Sequence, residues 1–123
     1  MNGNKLFVDT NIVLYLLNGD QTLAELLDQK QIYLSFVTEL ELLAFQGITA
    51  KEESLIKAFI QQCKVISIND QIKYETIQIR KIYKTKLPDS IIMATALYLD
   101  LPLITSDIDF KKVVELNLIH YTQ

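Results

Sequence analysis

Short apolar runs rich in β-branched residues alternate along this chain with longer segments of helical period, and that alternation leaves few folds open. Lys5 to Val8, Ile32 to Ser35, Val65 to Ile68 and Leu103 to Thr105 read as strands, with Ile119 to Tyr121 as a candidate fifth. Each gap between them is long enough for a crossover and carries helix signals. Parallel strands need such crossovers, and the helices that make them cover both faces of the sheet. The expected class is α/β, with a central parallel sheet of four to five strands between two helical layers.

The helix signals are local. Asn11 to Leu17 continues from the first strand. Asp20 caps a helix over Gln21 to Asp28, with Leu23, Leu26 and Leu27 on one face. Thr38 with Glu41 three residues on has the pattern of a capping box opening a helix that ends at Gly47, and Thr49 with Glu52 repeats the pattern. The second of these helices carries Leu55, Ile56, Phe59, Ile60 and Cys63 at helical spacing. Asn69 or Asp70 caps a helix with Ile72, Thr76, Ile79 and Tyr83 along one side. Pro88 suits the first turn of a helix running to about Leu99, where Leu101-Pro102 stops it. Phe110 to Leu116 reads as a short last helix.

With half of its 123 residues hydrophobic and no linker-like stretch, the chain is expected to form one domain over residues 1–123. No run approaches the roughly 18 apolar residues of a membrane span. The segment Met1-Asn2-Gly3-Asn4-Lys5 lacks a signal-peptide pattern. Cys63 is the only cysteine, which excludes an internal disulfide and fits a reducing compartment. A cytoplasmic protein without membrane contact is the expectation. The net charge of −3 argues at first against a nucleic-acid partner. Four carboxylates neutralised by metal would leave the remaining surface near neutrality, so the objection is weak.

Four acids stand out by position. Asp9 and Asp107 fall where strands end, and Glu41 and Asp89 fall where helices begin. In parallel sheets the ligand crevice lies beyond the carboxyl ends of the strands, so all four converge there. Each alone has an ordinary role as cap, turn residue or dipole partner. Together they would repel by roughly 4 kcal/mol for a pair about 4 Å apart at an effective dielectric near 20. Such a group holds protons at raised pKa or binds a cation. Oxygen ligands suit magnesium or manganese, while zinc is disfavoured because His120 and Cys63 are the only residues of their types. Carboxylate-held metal fits phosphodiester hydrolysis, which needs no catalytic histidine, serine or cysteine. No glycine-rich phosphate loop is present, which disfavours a nucleoside-triphosphate hydrolase.

Phe7-Val8-Asp9-Thr10-Asn11 resembles the opening motif of PIN-domain proteins. Thr38-Glu39-Leu40-Glu41-Leu42 with Gly47 is similar to their second motif, and Leu87-Pro88-Asp89-Ser90-Ile91-Ile92-Met93-Ala94-Thr95-Ala96 to their third. Leu103-Ile104-Thr105-Ser106-Asp107, followed by Asp109-Phe110, resembles the fourth. The resemblance spans essentially the whole chain with the motifs in order. It implies a PIN-like three-layer α/β/α fold and a magnesium- or manganese-dependent endoribonuclease of the VapC type, the toxin of a type II toxin–antitoxin module. It further implies a homodimer, an RNA substrate and a small antitoxin partner. By the same match Asp9, Glu41, Asp89 and Asp107 are the catalytic acids, rather than Glu39 or Asp109. Asp9, Asp89 and Asp107 are the metal ligands, and Thr10, Asn11 and Ser106 support them. Ser106 stands where many relatives carry a basic residue.

Arg80, Lys81, Lys84 and Lys86 precede Asp89, and Lys111 and Lys112 follow Asp107, so these cations would flank the acids and hold a phosphate backbone. The alternative function is a non-catalytic PIN-like module that binds RNA or protein. A phosphoacceptor domain is disfavoured because Asp9 has no adjacent acid and the late strand ends in Thr105-Ser106-Asp107, not in a lysine.

Overall fold

The computed structural model describes residues 3–123; Met1 and Asn2, part of the stretch read above for a leader, lie outside the described residues. Five strands, β1 (Lys5–Val8), β2 (Gln31–Ser35), β3 (Lys64–Ile66), β4 (Leu103–Thr105) and β5 (Leu118–His120), form one sheet in the order β3-β2-β1-β4-β5. Every neighbouring pair is parallel. Six helices connect them: α1 (Thr10–Leu17), α2 (Gln21–Leu27), α3 (Phe36–Leu43), α4 (Ala50–Gln61), α5 (Asp70–Tyr83) and α6 (Leu87–Leu99). The three-layer α/β/α expectation is met. No helix among the described residues is long and apolar enough to cross a membrane.

Side-chain alternation along the strands sorts the core into two layers. Phe7, Tyr33 and Leu103 point to one face, where Ile72 and Ile79 of α5 and Ile92 and Met93 of α6 cover them. Leu6, Val8, Ile32, Leu34 and Ile104 point to the other, against Ile12 and Val13 of α1, Leu23 and Leu27 of α2, and Ile56 and Ile60 of α4. Both faces are apolar, which is why these short strands read as continuous hydrophobic runs. The sheet grows outward in opposite directions from β1 and β4, so the break in strand order lies between them, and a crevice opens at their carboxyl ends.

Several boundaries differ from the sequence reading. Thr38 and Glu41 do not form a capping box. Ser35, the last residue of β2, caps α3 instead, its hydroxyl accepting from the Val37 N–H at 3.1 Å. The helix thus starts directly from the strand, Thr38 lies buried inside it, and Glu41 sits in its second half rather than its first turn. The second capping box, Thr49 with Glu52, is present. Strand β3 ends at Ile66 because its partner β2 turns into α3 after Ser35, leaving Ile68 nothing to pair with. The expected helix over Phe110 to Leu116 is a 3₁₀ turn at Ile108–Lys112. Asp107 captures the Asp109 N–H and starts the turn early, and Val113 ends it with extended ψ. Leu26 and Leu55, placed on buried faces by their spacing, are 41% and 53% exposed, so the apolar stripes of α2 and α4 are narrower than the period suggests.

Candidate metal centre

Backbone pairing brings the first two acids together. The Asp9 N–H donates to the Ile104 carbonyl at 3.1 Å, which sets the end of β1 beside Thr105 at the end of β4. Asp9 then caps α1, its Oδ1 accepting the Thr10 N–H at 2.5 Å. Its Oδ2 accepts from the Thr105 hydroxyl at 2.6 Å, and Thr105 Oγ1 accepts the Asp107 N–H at 3.1 Å. One buried hydroxyl therefore fixes both a carboxylate on β1 and the backbone that carries the acid after β4. Asp107 in turn accepts from the Asp109 N–H at 2.9 Å.

A second set of hydroxyls holds Glu41. Thr10 Oγ1 lies 2.6 Å from Glu41 Oε1 and 3.0 Å from Thr38 Oγ1. A hydroxyl has one proton to give and an ionised carboxylate can only accept. Thr10 thus donates to Glu41, and Thr38 donates to Thr10. Asp89 arrives from the first turn of α6, where its charge faces the positive end of the helix.

Asp9, Glu41, Asp89 and Asp107 share one hollow of about 240 Å³ with Thr10, Asn11, Leu14 and Phe45. Among the described residues the two ion pairs are Lys57–Glu53 and Lys73–Asp70, both away from this hollow. The acids have no cation within ion-pair distance among the described residues. Burial raises the pKa of Asp9; hydrogen bonds from Thr105 and Thr10 pull it back, and the charges of Asp89 and Glu41 push it further up. Burial and then the charges of Asp107 and Glu41 raise that of Asp89, with Lys86 as a partial offset. In both, burial is the larger cause and the neighbouring carboxylates add to it.

Among the described residues no three acids form a ready-made ligand set for one ion. Asp9 is engaged by Thr10 and Thr105, Glu41 by Thr10 and Asp107 by Asp109. The donor set fits an ion that keeps part of its water and takes one or two carboxylates directly, as magnesium does.

Of the supporting residues expected from sequence, Thr10 and Asn11 line the hollow, and Ser106 does not. The Ser106 hydroxyl is 3.5 Å from the Tyr15 hydroxyl, and its carbonyl is 3.2 Å from His120 Nε2. Thr105 and Thr38 are the residues that sequence reading missed. Their signal was a hydroxyl at an otherwise buried position, which has to find a partner. Among the cations, Lys84, Lys86 and Lys112 border a neighbouring hollow that shares Asp89 and Asp107, and Lys111 does not. Arg80 Nε donates to the Thr85 carbonyl at 3.1 Å and so braces the loop that carries the two lysines.

The solved structures similar to this chain include a toxin–antitoxin complex from Klebsiella pneumoniae, 28% identical, with a TM-score of 0.80 over 93% of this chain and 95% of that one. VapBC2 from Rickettsia felis, bound to a DNA fragment from its promoter, is 20% identical with a TM-score of 0.82, covering 96% and 99%. VapBC-1 from nontypeable Haemophilus influenzae is 24% identical with a TM-score of 0.78, covering 94% and 97%. No curated protein sequence gives a significant match. The family model described as PIN domain matches residues 6–116, a span that contains all four acids, and the chain belongs to the PIN-domain family.

Proposed function

We propose that this protein is a divalent-metal-dependent endoribonuclease of the VapC type, the toxin of a type II toxin–antitoxin module. The observation that carries this reading is the set of four carboxylates from four separate segments lining one hollow without a paired cation. Asp9, Asp89 and Asp107 would hold magnesium or manganese between them, directly or through the water the ion keeps. When bound, such an ion supplies charge stabilisation for a phosphodiester and a water acidic enough to attack near neutral pH. The chain's own part is positional. Thr105 orients Asp9 and the Asp107 backbone, and Thr10, backed by Thr38, aims Glu41. Glu41, exposed at the rim and outside the proposed ligand set, would accept a proton from the attacking water.

The neighbours named as toxin–antitoxin complexes support a small antitoxin partner. Tyr74, Ile77 and Ile82, exposed on α5 among polar neighbours, would supply apolar contacts to a second copy of the chain in a cytoplasmic homodimer. A non-catalytic RNA- or protein-binding module is the competing reading, favoured by the lack of a ready-made three-acid ligand set. One experiment separates the two. Purified protein should cleave RNA with magnesium or manganese, lose the activity in EDTA, and lose it in Asp9→Asn and Asp89→Asn with an unchanged circular dichroism spectrum. Intact RNA under all metal conditions would favour the binding module.

A further inference from the structure

Beside the acid hollow lies a second one of about 200 Å³ that shares Asp89 and Asp107 with it. Its rim carries Lys84, Lys86 and Lys112, and Asp109 completes the charged lining. Among the described residues none of the three lysines is in an ion pair. Lys84 and Lys86 do not sit on a loose strap. The loop joining α5 to α6 is clamped by Arg80 Nε on the Thr85 carbonyl, by the Ser90 hydroxyl on the Lys86 carbonyl at 2.7 Å, and by the buried contact between the Thr85 and Ser90 hydroxyls. Lys84 itself ends α5 in the left-handed region, at φ 58° and ψ 37°, where glycine is the unstrained choice. Asp100 ends α6 in the same conformation, so this backbone is a helix-ending device that leaves the Lys84 side chain free to face the hollow.

We propose that this second hollow seats the phosphate adjacent to the scissile one in a single-stranded polyribonucleotide, and that it fills cooperatively with the divalent cation. The proposal rests on the reading of the acid hollow as a metal-dependent phosphodiester site. Charge is the reason for the cooperativity. Three lysines face three aspartates, so the bare hollow has no net attraction for an anion. A divalent ion on Asp89 and Asp107 tips the balance to positive, and a phosphate drawn in favours the ion by the same factor. Two shared acids make the hollows neighbours, which suits consecutive phosphates of one strand. Binding then favours a strand with a nucleotide beyond the cut over a dinucleotide.

The test reads binding rather than turnover. Anisotropy of a fluorescein-labelled, mixed-sequence oligoribonucleotide is measured across a potassium chloride series, with and without magnesium, in the Glu41→Gln background. That background keeps Asp9, Asp89 and Asp107 and withdraws the proposed proton acceptor. Lys84→Gly and Lys112→Ala are compared with Lys51→Ala, a remote control on α4. Lys84→Gly relieves the left-handed strain, so its melting temperature should not fall, and Lys84→Arg should restore binding. In magnesium each hollow variant should flatten the slope of log affinity against log salt by about 0.7, the value of one phosphate contact to a single strand, while Lys51→Ala leaves it unchanged. Magnesium should strengthen binding several-fold in the parent and less when Lys84→Gly and Lys112→Ala are combined. Unchanged slopes, or an equal loss in Lys51→Ala, would overturn the proposal. If wild-type protein cleaves no RNA yet the hollow variants lose their slope, the phosphate seat stands and the ribonuclease reading falls.

Discussion

The sharpest consequence of an acid cluster without a counter-charge is that removing one charge should stabilise the metal-free protein. Asp89→Asn is the cleanest perturbation. It is isosteric and removes no side-chain hydrogen bond, since Asp89 makes none, whereas Asp9 has Thr10 and Thr105 to lose. A hollow of about 240 Å³ has the width of a sphere about 8 Å across, and two charges that far apart repel by about 2 kcal/mol at an effective dielectric near 20. The hollow is open, and ionic screening over about 10 Å weakens the repulsion, so a net gain of about 1 kcal/mol is expected at neutral pH. For a chain of this length that corresponds to a rise in Tm of about 4 °C.

The pH dependence has a definite sign. Asp89 and Asp9 have folded pKa values raised above the ordinary 3.8, so between the ordinary and raised values the folded state binds more protons than the unfolded one. Their contribution to stability is present at low pH and is lost as pH climbs through that window. The advantage of Asp89→Asn over wild type should therefore be full at pH 7 and vanish as pH falls to the ordinary carboxylate range. Thermal unfolding by circular dichroism in EDTA checks this. Magnesium should then raise the wild-type Tm more than that of the variant, because a ligand stabilises only the state that binds it. A variant that melts at or below wild type in EDTA, or a gap that does not change with pH, would refute the idea of uncompensated charge.

Thr105→Val keeps the shape of the strand end and deletes the hydroxyl that donates to Asp9 and accepts from Asp107. It should cost about 1.5–3 kcal/mol of stability, the range for hydrogen bonds to charged groups. Since that bond holds the Asp9 pKa down, the acid limb of the pH–rate profile should also move to higher pH. Thr49→Ala, by contrast, breaks a capping box remote from the acids and should cost about 1 kcal/mol in urea unfolding with cleavage rates unchanged.

Much of the architecture is legible in one dimension because its causes are local. The caps Asp20, Thr49 and Asn69 each satisfy a backbone N–H within three residues, and all three do so in the folded chain. The apolar runs of β1 and β4 need no distant information to be read as buried strands. Local signals misled where two candidates competed for one role. Ser35 and Thr38 could each cap α3, and only the directness of the β2-to-α3 junction made Ser35 the cap and freed Thr38 to meet Thr10. Likewise the length of β3 was set by where its neighbour ended, a fact belonging to another strand.

The sequence by itself determined the alternation of strand and helix and the acids that punctuate it, because backbone sterics, capping and hydrophobic period act over a few residues. Tertiary structure alone decided that Thr105 would join Asp9 to the Asp107 backbone, that Ser106 would turn away toward Tyr15, and that Lys112 rather than Lys111 would face the second hollow. Those outcomes depend on strand order and register. Contacts between positions 96 residues apart are settled only when β1 and β4 pair.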